Sequence, residues 1–283
     1  MTDRKRRRRV ARFGKLLAAM AAFATGSAAR AESGNEWAIY GGDPANTRYS
    51  ALEQINTGNV KNLKAAWALQ LGVLKAQEST PLVIGDTMYV TTSMGPKFVY
   101  AVDARTGEIR WQYAPDIAED VAPTVCCGMV SRGATYISGK LFFSQLDGYL
   151  VSLDARGGKE LWKTKVVDYK QGSAMTSPPT PVKNLVITGY SGGEYGMRGA
   201  ITAYEQDTGK VVWRTYTVPD PGQPGSETWT GESSVHGGGD AWYVGSYDPK
   251  LNLIYYGTSN ASPWNGSVRG PDSSEYGQYT NLY

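Results

Sequence analysis

The 283-residue sequence predicts an all-β fold made of repeated four-stranded units. Three observations predict it. Glycine (34), tyrosine (19) and tryptophan (8) are abundant and long helical periodicities are few, which favours short strands joined by turns. Three segments, VYAVDARTGEIRWQY (99–113), LVSLDARGGKELWKT (150–164) and AITAYEQDTGKVVWRTY (200–216), align around a Thr-Gly or Gly-Gly turn. Their tryptophans, Trp111, Trp162 and Trp213, are spaced 51 apart on both intervals, so the unit repeats at a fixed period.

Residues 1–31 come first and read as a bacterial-type export signal. A basic run from Arg4 to Arg9 precedes the apolar stretch LLAAMAAFA, and the small residues Ala29 and Ala31 predict cleavage after Ala31. The apolar stretch is too short to span a membrane. The fold is therefore assigned to residues 32–283 and the protein to the periplasm. The signal holds nine of the 29 Lys/Arg and one of the 26 Asp/Glu, leaving 20 basic against 25 acidic residues, a net charge of −5. No basic stripe remains for nucleic acid, and no apolar run outside the signal is long enough for a membrane span.

Each of the three aligned segments alternates as a strand, turns at its glycine, and returns as a strand closing on tryptophan, which is a β-hairpin pattern. Ahead of each lies a further strand pair: TPLVIGDTMYVTT (80–92), ATYISGKLFFSQ (134–145) and TPVKNLVITGY (180–190). A fourth copy begins at GSYDPKLNLIYYGTSN (245–260). Four short strands in roughly 50 residues are the signature of a β-propeller blade. A single blade has no core of its own, so the repeated tryptophan is expected to dock between neighbouring blades. Trp67, ending NVKNLKAAW, is expected to hold the same position in an earlier, incomplete blade. Four or so blades do not comfortably close a ring. Residues 32–283 are thus expected to be about the first half of a larger propeller, truncated at the C-terminus.

The only two cysteines, Cys126 and Cys127, are neighbours in TVCCGMVSRG, an arrangement expected by chance in about one such sequence in 140. In an oxidising compartment a bond between them is chemically allowed. His236 is the only histidine, so with two cysteines the chain cannot build an ordinary zinc or haem-attachment site. No glycine loop leads from a strand into a helix, which disfavours nicotinamide and flavin chemistry.

With these motifs, nearly all of residues 35–283 resembles the N-terminal half of the quinoprotein alcohol dehydrogenases, eight-bladed propellers that use pyrroloquinoline quinone (PQQ). The resemblance implies that Cys126 and Cys127 form a vicinal disulfide. Consecutive Cα atoms lie about 3.8 Å apart, below the usual disulfide range, so this would be a strained, rigid eight-membered ring. It further implies that this ring covers one face of the quinone and Trp242, in GGGDAWYVGSYDP, the other. Arg132 would pair with a cofactor carboxylate, and Glu78, Thr176, Ser191, Gly192 and Gly193 would supply further contacts. A cation, Ca²⁺ or a lanthanide, would bind Glu194 and Asn260, whose oxygens suit a hard ion.

By the same resemblance, the reaction is oxidation of primary alcohols to aldehydes by hydride transfer to metal-bound PQQ, with a cytochrome c as electron acceptor and homo-oligomerisation left open. The family's catalytic aspartate and a further cofactor-facing arginine match positions past Tyr283, so no catalytic base is assigned and the chain by itself is expected to be an inactive fragment. One departure stands out: the family often has a threonine two residues before the tryptophan, where this chain has Asp240.

Taken singly, these residues have plainer readings. Glu194 beside Arg198 reads as a surface ion pair, Gly192–Gly193 as a turn, and His236 as a loop residue among glycines. Two rival functions make different demands on the sequence. A non-catalytic PQQ-like propeller serving as an assembly scaffold would need neither the cysteine pair, Trp242 nor the Glu194/Asn260 pair. A membrane-bound glucose dehydrogenase would carry an N-terminal helical anchor.

Overall fold

Every strand predicted from residue 80 onward forms, in the predicted order, whereas the described residues up to Trp67 form no strand of an earlier blade. In the computed structural model, residues 36–72, 78–93, 98–125, 128–265 and 269 are described, all within the unit Ala31–Tyr283. The expected signal, residues 1–31, lies outside the described residues. Blade 1 comprises β1 (Leu82–Ile84), β2 (Thr87–Thr91), β3 (Val99–Asp103) and β4 (Ile109–Tyr113). Blade 2 comprises β5 (Thr135–Ile137), β6 (Lys140–Ser144), β7 (Tyr149–Asp154) and β8 (Glu160–Lys165). Blade 3 comprises β9 (Thr180–Val182), β10 (Leu185–Thr188), β11 (Ala200–Glu205) and β12 (Val211–Tyr216). A pair, β13 (Ser246–Asp248) and β14 (Leu253–Tyr255), begins a fourth. Each blade is an antiparallel sheet in chain order. These are propeller blades.

The repeat is kept to the level of register. Ala101, Ser152 and Ala203 each lie opposite a tryptophan (Trp111, Trp162, Trp213), and the pairing shifts at the next residue of all three third strands. Such a shift is a β-bulge, which tightens the local twist of the outer hairpin. The third strands are buried over most of their length, whereas β4, β8 and β12 are the solvent-facing outer edges.

The tryptophans dock as expected. Trp67, Trp111 and Trp162 donate their indole N–H to the backbone oxygens of Ala104, Ala155 and Gln206 at 3.1, 3.1 and 2.9 Å. Each acceptor belongs to the outer hairpin turn of the next blade. Three residues further on, Gly107, Gly158 and Gly209 sit under the indole, with positive φ and no room for a side chain. Repeated Trp and repeated Gly are thus two halves of one inter-blade joint.

The core lies between blades. Leu82, Tyr89, Val99 and Ala101 of blade 1 pack against Leu141, Phe143, Val151 and Leu153 of blade 2. Phe142 and Leu150 of blade 2 instead meet Val186, Ala200 and Tyr204 of blade 3. Phe142 and Phe143 are consecutive in a strand, so they point to opposite faces and serve opposite interfaces. Both are fully buried, a contribution of roughly 1.5–3 kcal/mol each.

An N-terminal strap ties the first strands together. Trp37 exchanges two backbone hydrogen bonds with Val83 of β1, Ala38 accepts from Tyr136 of β5, and Pro44 accepts from Tyr247 of β13. Asn46, at φ +56°, donates its side-chain amide to the Gly245 carbonyl at 2.7 Å.

Candidate functional site

Four of the predicted cofactor residues occupy one repeated position. Glu78, Arg132, Thr176 and Trp242 each precede the first strand of their blade by three or four residues, ahead of β1, β5, β9 and β13 respectively. The entry segments of blades 1 to 3 are joined side by side: Thr80 N–H donates to the Arg132 carbonyl at 3.1 Å, and Arg132 N–H donates to the Thr176 carbonyl at 2.8 Å. The propeller therefore gathers these residues at one end of its blades, although they are scattered over 165 positions.

Arg132 is the hub of this cluster. Its Nη2 pairs with Glu78 Oε2 at 2.9 Å, and its Nη1 donates to Thr176 Oγ1 at 2.6 Å. Its Cζ stands 5.0 Å from the Trp242 ring centre and 5.8 Å from that of Tyr243. The Arg132 side chain is 16% exposed, so its charge is partly desolvated and pairs more strongly than a surface arginine would. Trp242 remains 38% exposed, which leaves apolar ring surface for a ligand.

Tyr243 links the cluster to the strap. Its hydroxyl lies 2.6 Å from that of Tyr40, whose ring carries the Arg48 guanidinium 4.5 Å from its centre. Burial pushes the Tyr40 phenol up, but the Tyr243 hydrogen bond and the Arg48 charge together bring it below its ordinary value. No sequence motif marks Tyr40, Arg48 or Tyr243 as part of the site. Tyr40 and Tyr243 are 203 residues apart and follow no repeat.

Ser191, Gly192 and Gly193 form the turn between β10 and β11. Ser191 donates its hydroxyl to the Ala174 carbonyl at 3.0 Å, close to Thr176 in sequence. The N–H groups of Gly192 and Gly193 both donate to Asp240 Oδ2, at 3.0 and 2.7 Å. A Cβ on Gly193 would fall 2.7 Å from Asp240 Oδ1, so the glycine is what admits this carboxylate. The plain turn reading of Gly192–Gly193 holds for the backbone, and the turn also cradles an anionic side chain.

Asp240 is 1% exposed, and its Oδ1 has no hydrogen-bond partner. Burial pushes its pKa up to about 6 against the two glycine N–H bonds, and the neighbouring Glu194 charge pushes the same way. The backbone of Asp240 is bonded twice to Ser259: its N–H donates to Ser259 Oγ, and its carbonyl accepts from Ser259 N–H, both at 2.9 Å. Glu194 lies exposed on the single 3₁₀ turn Gly193–Tyr195, and Asn260 is exposed on the next segment. Among the described residues no three His, Cys, Asp or Glu side chains converge as a metal-binding group.

The expected surface pair of Glu194 with Arg198 is replaced by other contacts. Arg198 pairs with Asp220 at 2.6 Å, donates to the Val218 carbonyl and lies over the Tyr216 ring. His236 is more than a loop residue: its Nδ1 is 2.8 Å from the Gly196 carbonyl, at the end of the turn that carries Glu194. Cys126 and Cys127 lie outside the described residues. A cavity of about 480 Å³ between blades 1 and 2, lined by Tyr89, Arg110, Trp111 and Tyr136 among others, contains none of the predicted site residues.

The residues present fit a flat, multiply anionic cofactor with an associated cation. Arg132 supplies a partly buried cation, Trp242 an exposed ring, and Ser173 Oγ, Ser177 Oγ and Asp240 Oδ1 are buried polar atoms with no protein partner in the segments that flank Thr176, Ser191 and Trp242.

Comparison with known proteins identifies the family of the chain as a whole. The family described as "PQQ: Glucose/ethanol/alcohol dehydrogenase, beta-propeller domain" matches residues 37–279. The lanthanide-dependent methanol dehydrogenase of Methylacidiphilum fumariolicum is 43% identical over 254 residues, which are 83% of this chain and 41% of that protein. Quinohemoprotein alcohol dehydrogenase ADH IIB of Pseudomonas putida is 41% identical over 280 residues, 94% of this chain and 40% of that protein. Among solved structures, a europium-containing methanol dehydrogenase superposes with a TM-score of 0.79 at 39% identity, over 89% of this chain and 48% of that one. The chain thus spans less than half the length of these relatives. It belongs to the PQQ-dependent glucose/ethanol/alcohol dehydrogenase family of β-propellers.

Proposed function

We propose that the chain is the cofactor-holding part of a periplasmic quinoprotein that oxidises primary alcohols to aldehydes and passes the electrons to a cytochrome c. Residues 1–31 act as its export signal. The observation that carries this reading is the convergence of Glu78, Arg132, Thr176 and Trp242 at the entries of four successive blades.

In this reading Arg132 binds a carboxylate of PQQ, since a guanidinium tied to Thr176 and Glu78 is held in place and still has unused donors. Trp242 would offer its exposed ring to a face of the quinone. The turn Ser191–Gly193 brings backbone groups to the cofactor edge, and Glu194 and Asn260 hold Ca²⁺ or a lanthanide. When bound, the quinone supplies an acceptor for the carbon-bound hydrogen and two electrons of an alcohol, and the cation supplies Lewis acidity. Orientation of that acceptor is the work of Arg132 and Trp242.

The test is reduction of an artificial electron acceptor by methanol or ethanol, with PQQ and either Ca²⁺ or La³⁺ added to the full-length protein that carries this propeller segment. Cofactor-dependent turnover that is lost in Glu194→Ala supports the reading. Turnover unchanged in that variant would remove the cation assignment, and absence of any PQQ binding would favour a non-catalytic propeller.

A further inference from the structure

Asp240 is the charged group at the site that the proposed function does not use. Its Oδ2 is held by two backbone N–H groups of the turn that carries Glu194, and its own backbone is bonded to Ser259, the neighbour of Asn260. Gly239 N–H also donates to the Asn260 carbonyl at 3.0 Å. Asp240 therefore bridges the two segments that bear Glu194 and Asn260, in an orientation fixed from both sides.

Its second oxygen, Oδ1, is buried and unpartnered. A bare carboxylate oxygen in that position, beside a second carboxylate, is strongly unfavourable unless something compensates its charge. A cation satisfies both the charge and the lone pairs. Affinity of such sites rises with the number of anionic ligands, and most for the most highly charged ion.

We infer that Asp240 is a third oxygen donor of the cation site, beside Glu194 and Asn260, and that its added negative charge tunes the site to a trivalent over a divalent cation. The inference rests on the reading of Glu194 and Asn260 as cation ligands.

The test is direct cation binding, read without alcohol turnover. Tb³⁺ is titrated into the protein and followed by its tryptophan-sensitised emission, with Trp242 only two residues from Asp240 along the chain, and Ca²⁺ is measured by competition. Asp240→Asn keeps an oxygen for the Gly192 and Gly193 N–H groups, and Asp240→Thr puts a hydroxyl in place of the carboxylate; circular dichroism checks that each remains folded. Both variants are expected to weaken Tb³⁺ at least about tenfold while changing Ca²⁺ by no more than about threefold. Tb³⁺ affinity within about twofold of wild type in either folded variant overturns the inference. Glu194→Gln separates the two levels of the argument. If it abolishes Tb³⁺ binding while the Asp240 variants are neutral, only the role of Asp240 falls; if it too is neutral, the cation site itself is wrongly placed.

Discussion

Trp111 of the first blade occupies the space that a side chain on Gly158 of the second would need: a Cβ there would fall 2.5 Å from the indole. The indole N–H of Trp111 simultaneously reaches the Ala155 carbonyl in the same turn. Gly158→Ala should therefore destabilise the fold by roughly 2–4 kcal/mol, combining overpacking with left-handed strain at φ +72°. Gly139→Ala is the control, since Gly139 is also at positive φ (+83°) but has nothing within 4 Å of its added Cβ, and should cost only about 1 kcal/mol. Urea unfolding with an unchanged m-value would read both.

The strap makes a second prediction. Asn46→Ala removes the hydrogen bond to Gly245 and puts alanine at φ +56°, so it should cost roughly 1–3 kcal/mol. The loss should appear locally as faster proteolysis within residues 37–48, because the strap is held by a few backbone bonds and not by a blade of its own.

Acid sensitivity should trace partly to Asp103. The Arg110 side chain, with the N–H groups of Arg105 and Thr106, holds its pKa down to about 2. A depressed pKa stabilises the fold above the unfolded carboxylate's value of about 4, and that contribution disappears as pH falls through about 2. Asp103→Asn should flatten the melting-temperature profile across that window and leave its shape near neutrality unchanged.

Arg132→Lys should weaken PQQ binding by about tenfold or more, because an ammonium keeps the charge but loses the planar fork that engages Glu78 and Thr176 together. Thr176→Ala should have a smaller effect, about 1 kcal/mol in binding, since Arg132 retains Glu78. Isothermal titration with the cofactor separates the two.

The repeat made the fold legible. Trp111, Trp162 and Trp213 at constant spacing, with Gly107, Gly158 and Gly209 in the turns, encode the strands, the register and the inter-blade joint together. Glu78, Arg132, Thr176 and Trp242 were legible only through the family resemblance, because the residue types differ even though the structural position repeats. The contacts of Asp240 with Gly192 and Gly193, of His236 with Gly196 and of Tyr40 with Tyr243 left no periodic signal. Each joins segments that only the folded arrangement of the blades brings together, and a single sequence carries no trace of that proximity.

The central claim is that Arg132 and Trp242 form a PQQ site, and direct titration of PQQ into the purified protein tests it most closely. With Ca²⁺ or La³⁺ present, the account predicts saturable one-to-one binding that quenches tryptophan emission and is lost in Arg132→Ala and Trp242→Ala variants that remain folded. Binding that persists unchanged in both variants, or no binding under either cation, would contradict it.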